Sequence, residues 1–309
     1  MNLQKIYIQR KIKIIAVFAV FTIINLRSVS SVNAQSALSF SVSPPITEIT
    51  IQPGKEIKQT YVLQNNGGDI ILKPRIVYFV PSDEFGNVEL TQNSAPSWVK
   101  YDSEPFNLKF EGQKTFNVIF NVPSDESEVD HYLTLVFESD KAVDLIGQTS
   151  SFYKTEIGSN IIVSVSKDGN PKKSAEIVKF SGNRFVDSLF GKIEYDVAIK
   201  NNGNSYWKPN GKISINNNNS IKIAPLNILS GKQRIISCIE NEELKKCVFD
   251  KKYLFGKVVS TLEFRIDENS NIYRQSITTI AFPFSLIILL LILLTLIRFK
   301  GIFNIWRKR

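Results

Sequence analysis

The chain carries one histidine, His131, and two cysteines, Cys238 and Cys247, in 309 residues, so the side chains that most often do chemistry can be weighed one at a time. His131 adjoins Asp130 and follows Asp125, Glu126 and Glu128, a grouping that suits proton transfer or metal binding. Its spacing departs from the Asp-x-Asp-x-Asp-Gly pattern of a calcium loop, and a single histidine rules out a multi-histidine metal centre. The group also falls where two strand-like runs need a connection, so a solvated acidic loop is the expectation. Glu194 and Asp196 lie on the polar side of an alternating run and stand out no further. The sequence has no Gly-rich phosphate loop, nucleophile elbow or zinc-ligand spacing. A non-enzymatic protein with no catalytic residue, metal or cofactor is therefore expected. A hydrolase would need scattered carboxylates brought together in one cleft.

The two cysteines form an even pair in the part of the chain expected to be exported, which makes Cys238–Cys247 a candidate disulfide. The alternative is two free thiols; a redox role is not expected, because the spacing is not Cys-x-x-Cys. Trp98, Trp207, Tyr61, Tyr78 and Tyr206 could stack on sugar rings. Large aromatics on strands are usually core, the reading adopted for Tyr61 and Trp98. Tyr206 and Trp207, beside a turn, are the candidates for an exposed aromatic patch.

The elements that must position these residues lie between two apolar segments. Lys5 to Lys13 form a positive start, Ile14 to Leu26 a short apolar run, and Val32-Asn33-Ala34 a small-residue end. This is the pattern of a signal peptide over 1–34, cut between Ala34 and Gln35, with a retained signal anchor as the alternative. Ser276 to Ile297 carries no charge and has the length of a membrane-spanning helix. Arg298, Lys300, Arg307, Lys308 and Arg309 follow it and, by the positive-inside rule, would set a cytoplasmic tail over 298–309. Trp306 would sit at headgroup level. The expectation is a single-pass membrane protein with an extracytoplasmic body and the lipid bilayer as one partner. The net charge of +9 belongs to these two ends: setting aside five bases at each leaves 28 bases against 29 acids. Nucleic acid is accordingly not an expected partner.

Between the ends the chain alternates in the period of half-buried strands. Ile46 to Ile51, Ile57 to Leu63, Ile70 to Val80, Lys114 to Val122, Tyr132 to Phe137 and Asn160 to Val165 make one series. The polar stretch Lys167 to Lys173 reads as a linker. A second series opens with Ile193-x-Tyr195-x-Val197-x-Ile199. Each series has a strand running into Asn-Asn-Gly, at Asn65-Asn66-Gly67 and Asn201-Asn202-Gly203, followed by Lys73-Pro74 and Lys208-Pro209. Glu111-Gly112 and Ser230-Gly231 separate later strands. A duplicated unit explains these parallels. The predicted fold is all-β: two immunoglobulin-like β-sandwich domains in tandem, 35–168 and 169–275, plus one C-terminal transmembrane helix over 276–297.

Phe40-Ser-Val-Ser-Pro44-Pro45, Pro53-Gly54 and the strand ending Asn65-Asn66-Gly67 resemble the opening of the first domain of WxL-interacting proteins, bacterial surface proteins of the same overall order. The resemblance implies a first domain that binds peptidoglycan and a second that binds partner proteins. With the strand pattern it yields the expected function: a non-enzymatic cell-surface protein contacting cell-wall glycan or a surface protein. The alternative is a membrane-tethered scaffold or assembly factor for exported proteins that acts by strand addition at a sheet edge.

Overall fold

A computed structural model describes residues 39–139, 155–268 and 270–306, with side chains as far as Arg298. The expected signal peptide with its Ala34–Gln35 cut, and Arg307, Lys308 and Arg309, lie outside the described residues.

Ten strands build the first sandwich: β1 (Phe40–Ser43), β2 (Ile46–Ile51), β3 (Glu56–Asn65), β4 (Ile70–Pro81), β5 (Val88–Ser94), β6 (Val99–Tyr101), β7 (Phe106–Leu108), β8 (Gln113–Asn121), β9 (Asp130–Ser139) and β10 (Thr155–Val165). One sheet has the order β1-β3-β8-β6, the other β2-β10-β9-β4-β5 with β7 also on β4. The period-two pattern decides what faces inward. Tyr61 and Leu63 on β3, Phe116, Val118 and Phe120 on β8, Leu133, Leu135 and Phe137 on β9, and Ile161, Val163 and Val165 on β10 meet in one buried core.

The second sandwich follows a polar connection and contains β11 (Ala175–Gly182), β12 (Phe185–Asp187), β13 (Ile193–Asn201), β14 (Asn210–Ile215), β15 (Asn219–Ile223), β16 (Gln233–Ile235), β17 (Cys238–Glu240), β18 (Glu243–Lys245), β19 (Cys247–Phe249), β20 (Gly256–Arg265) and β21 (Tyr273–Phe282). Its sheets are β11-β13-β16, with β19 also on β13, and β12-β21-β20-β14-β15-β17-β18. Ile193, Tyr195, Val197 and Ile199 point into its own core with Ile213, Leu262 and Phe264.

Both sandwiches begin with the same sheet switch. β1 pairs with β3, the chain then crosses over, and β2 joins the opposite sheet parallel to β10. Pro44 and Pro45 make the break, since neither has an N–H to continue a ladder. In the second sandwich β11 pairs with β13 and β12 joins the opposite sheet parallel to β21. A first strand divided between two mainly antiparallel sheets is an immunoglobulin-like arrangement.

The Asn-Asn-Gly repeat marks one device used twice. Asn65 and Asn201 are both buried. The Asn65 amide donates to Gly68 O, Leu108 O and Lys109 O, and its side-chain oxygen accepts the Gly67 N–H. Asn201 does the same with Ser205 O, Ile228 O and the Gly203 N–H. Backbone bonds Asn65 N to Gly112 O and Asn201 N to Lys232 O correspond as well. The later turns align one residue differently from the sequence pairing: Glu111 matches Gly231, both at positive φ, and Gly112 matches Lys232.

The C-terminal expectation is corrected. Ser276 to Phe282 are not helical but form most of β21, fully registered against β20. Pro283 ends that strand, and helix α1 runs over Phe284–Trp306. Its uncharged stretch, Phe284 to Ile297, rises about 21 Å, against roughly 30 Å of hydrocarbon. Among the described residues no helix is long and apolar enough to cross a membrane. The single-pass localisation, the bilayer as a partner through this helix, and the topological role of Arg298 and Lys300, both within α1, are set aside on that ground.

Candidate functional site

The two sandwiches meet on the outer face of the β2-β10-β9-β4-β5 sheet, and the residues that fix the junction come from both. Asp130, at the start of β9, accepts hydrogen bonds from the Ser164 hydroxyl at 2.5 Å, the Tyr132 hydroxyl at 2.8 Å and the Tyr206 backbone N–H at 2.6 Å. Ser164 also meets the Ser205 hydroxyl at 2.8 Å, and Tyr132 accepts the Ser230 N–H at 2.8 Å. Beside these bonds Phe79 and Ile162 of the first sandwich pack on Leu229 of the second, with Tyr132 and Tyr206 against them. Burial raises the Tyr132 and Tyr206 phenols well above their ordinary range, with the Asp130 charge adding to it. Both remain neutral donors or acceptors at physiological pH. Glu48 on β2 receives Lys208 Nζ at 2.8 Å and Asn227 Nδ2 at 2.7 Å from the second sandwich. The acidic group expected as a solvated loop is thus divided. Asp130 is a bridging acceptor, and Glu126 accepts the Trp98 indole N–H at 3.1 Å while lying 3.5 Å from His131.

A cleft of about 190 Å³ opens next to this junction. Ile46, Phe79 and Ile162 line it from the first sandwich and Leu229, Lys232 and Arg234 from the second. Arg234 donates to Asn227 O at 2.6 Å and Phe85 O at 3.2 Å. Its Nε has no partner, and no ion pair to it is seen among the described residues. Burial lowers its pKa, opposed by the nearby charge of Asp83.

A seam runs along the first sandwich from the cleft. β2 opposes β10 only over Asn160 to Val165, because the chain before Ile46 has left for the other sheet. Thr155 to Ser159 therefore have β9 on one side and, among the described residues, no strand on the other. The Asn160 N–H donates to Pro45 O at 3.1 Å. By alternation, Glu156 and Gly158 turn their N–H and C=O groups to that same unpaired side. This vacancy is about 17 Å long. β1 lies across the seam as the edge strand of the facing sheet. Half-buried Phe40 and Ile157 floor it against the core. The chemistry available along the seam is backbone hydrogen bonding plus apolar contact.

Other sequence-derived candidates fall elsewhere. Cys238 and Cys247 are joined by a disulfide that links β17 of one sheet to β19 of the other, inside the second core. The exposed aromatic patch is corrected: Trp207 is only 2 % exposed and stacks on Phe264, and Tyr206 is half-buried in the junction. The turn that suggested exposure is the one that docks on the first sandwich. Tyr61 and Trp98 are buried, and Glu194 and Asp196 are exposed and bound to Lys246 and Lys179. Among the described residues no three His, Cys, Asp or Glu side chains converge as a metal site. The vacancy along β10 and the cleft had no sequence signal beyond Pro44-Pro45.

No protein-family model matches the chain, and the comparisons do not support the resemblance to WxL-interacting proteins. No curated protein matches either. Solved structures similar to it include the class 5 fimbriae chaperone CfaA, at 12% identity over 78% of this chain and 99% of that one, TM-score 0.39. The Escherichia coli chaperone DraB is similar at 9% identity over 78% and 98%, TM-score 0.40. A Salmonella enterica complex of SafA pilin with the SafB chaperone matches at 9% over 79% and 99%, TM-score 0.41.

Proposed function

We propose that this chain is a non-enzymatic binding and assembly protein that holds an extended segment of a partner protein by strand addition beside β10. The carrying observation is the half-filled strand position: β2 stops at Ile46, while β10 continues outward through Thr155 with, among the described residues, paired backbone on one side only. The geometry of that edge carries the reading, and the loose likeness to fimbrial chaperones is not needed for it. An unpaired edge is a template for another chain. An incoming strand in line with β2 would satisfy the outward groups of Glu156 and Gly158, and its inward side chains would cover Phe40 and Ile157.

The test places a photo-crosslinking amino acid at exposed Ser41, across the seam, and identifies adducts formed in the native host. A protein adduct is expected. Glu156→Pro removes one outward N–H but no donor of the β9 ladder, so it should abolish the adduct while Glu156→Gln retains it. Cross-linking that survives Glu156→Pro undiminished would sink the reading.

A further inference from the structure

On the second sandwich the outer face of the long sheet is open to solvent, and its side chains fall into a grid. Registered pairing sets Arg274, Glu263, Lys212 and Lys222 in one row across β21, β20, β14 and β15. The next row is Ser276, Thr261, Ser214 and Ser220, four hydroxyls in line on the same strands. Arg265 and Asn210 continue the grid on the other side of the charged row. Two shallow hollows of about 410 and 440 Å³ lie along it and share Lys212 and Glu263.

The charged row is built against its own stability. Lys212 stands directly opposite Lys222, and like charges directly opposite each other on neighbouring strands destabilise a sheet. The one acid, Glu263, is shared by Arg274 at 3.1 Å, Lys212 at 3.6 Å and the Ser214 hydroxyl at 3.4 Å. Among the described residues no carboxylate pairs with Lys222. Four cations around one carboxylate leave a local excess of positive charge on a sandwich body that is near neutral. A like-charge pair that one shared carboxylate offsets only in part marks a surface made for something else.

We propose that this face binds an anionic polysaccharide, with the cations taking its acidic groups and the hydroxyl row its sugar hydroxyls. Serine and threonine hydroxyls both donate and accept, as sugar hydroxyls require. The named grid holds no aromatic ring on which a nucleobase could stack and no deep apolar pocket for the side chains of a peptide. The site lies on a different sheet from the seam of β10 and stands whether or not strand addition occurs there.

The test is binding of the full chain to polygalacturonate, with neutral dextran and oligo(dT) as comparison probes, over a series of salt concentrations. Polygalacturonate should bind with affinity falling as salt rises, and dextran only weakly. Lys212→Gln/Lys222→Gln should weaken polygalacturonate by about tenfold, which corresponds to 1.4 kcal/mol, and flatten the salt dependence. Ser214→Ala/Ser220→Ala should weaken it several-fold with the salt dependence unchanged. Lys179→Gln, on the other sheet, should have no effect. Circular dichroism verifies that each variant folds. The proposal is overturned by no polygalacturonate binding, by binding indifferent to both double variants, or by oligo(dT) binding as tightly through the same lysines.

Discussion

In the first sandwich the sheet β2-β10-β9-β4-β5 turns its outer face toward the second sandwich, whereas the corresponding β12-β21-β20-β14-β15 sheet of the second leaves that face in water. The inward positions of the two are alike in kind: Ile, Val, Leu and Phe predominate, with buried Ser159 and Ser139 in one and Ser260 and Thr279 in the other. The outward positions are not. Phe79, Tyr132 and Ile162 meet Leu229 across the junction, while Thr261, Glu263 and Arg274 face solvent on the partner sheet. Period-two alternation constrains one face and leaves the other free. Two like skeletons thereby carry a docking face in one and an open polar face in the other.

The comparison rests first on Asn65 and Asn201 performing one task twice. Replacing either by Ala strands buried carbonyls, Leu108 O in one case and Ser205 O and Ile228 O in the other, and removes the donor to the part-buried Lys109 O as well. The expected cost is about 3 kcal/mol each. In a Trp306→Phe background, Trp98 reports on the first core and Trp207 on the second. Urea titration should show Asn65→Ala lowering the Trp98 midpoint and Asn201→Ala the Trp207 midpoint. Equal movement of both midpoints by either variant would mean that the sandwiches unfold as one unit and that the comparison has no energetic content.

The disulfide divides the copies. It joins the two sheets of the second sandwich only, across a sequence separation of 9 residues. Closing so short a loop restricts the unfolded chain modestly, for about 2–3 kcal/mol. Cys238→Ser/Cys247→Ser should lower the Trp207 midpoint by that amount and leave the Trp98 midpoint in place. A matching loss at Trp98 would show that the bridge supports the junction as well as its own core.

Legibility in the sequence followed the same inward–outward division. Tyr61, Leu63, Tyr195, Val197 and Ile199 were readable as core because alternation records burial directly, and the buried Asn65 and Asn201 were visible as a repeat. The short strands β15 to β19 carry too few residues for a period to show. Ser276 to Phe282 misled because an uncharged run is compatible with either a strand or the start of a helix; the pairing partner β20 decides, and it is not local. Tyr206 misled for a related reason: a turn predicts exposure only where nothing docks on it, and the docking surface lies on residues more than forty positions earlier, while Trp207 beside it turns inward onto Phe264. The seam was invisible because it is defined by where β2 stops pairing.

The smallest expected effect belongs to His131, which only the first sandwich has. Its ring meets the Trp98 indole edge-on at 5.1 Å, with Nδ1 3.3 Å from the Tyr78 hydroxyl and Nε2 3.5 Å from Glu126. Burial lowers its pKa below the usual histidine range, and the charges of Glu126 and Asp130 offset this only in part. The folded state therefore binds the proton less readily than the unfolded chain. The contribution to stability is present in full above the unfolded value, near 6.5, and is lost as pH falls through the lower folded value. Between pH 7 and 5 the Trp98 midpoint of the wild type should fall further than that of His131→Gln, while the Trp207 midpoints of the two proteins change alike. If the Trp98 midpoints also changed alike, the packed ring would cost the protonated form nothing, and this difference between the two copies would be one of sequence rather than of energy.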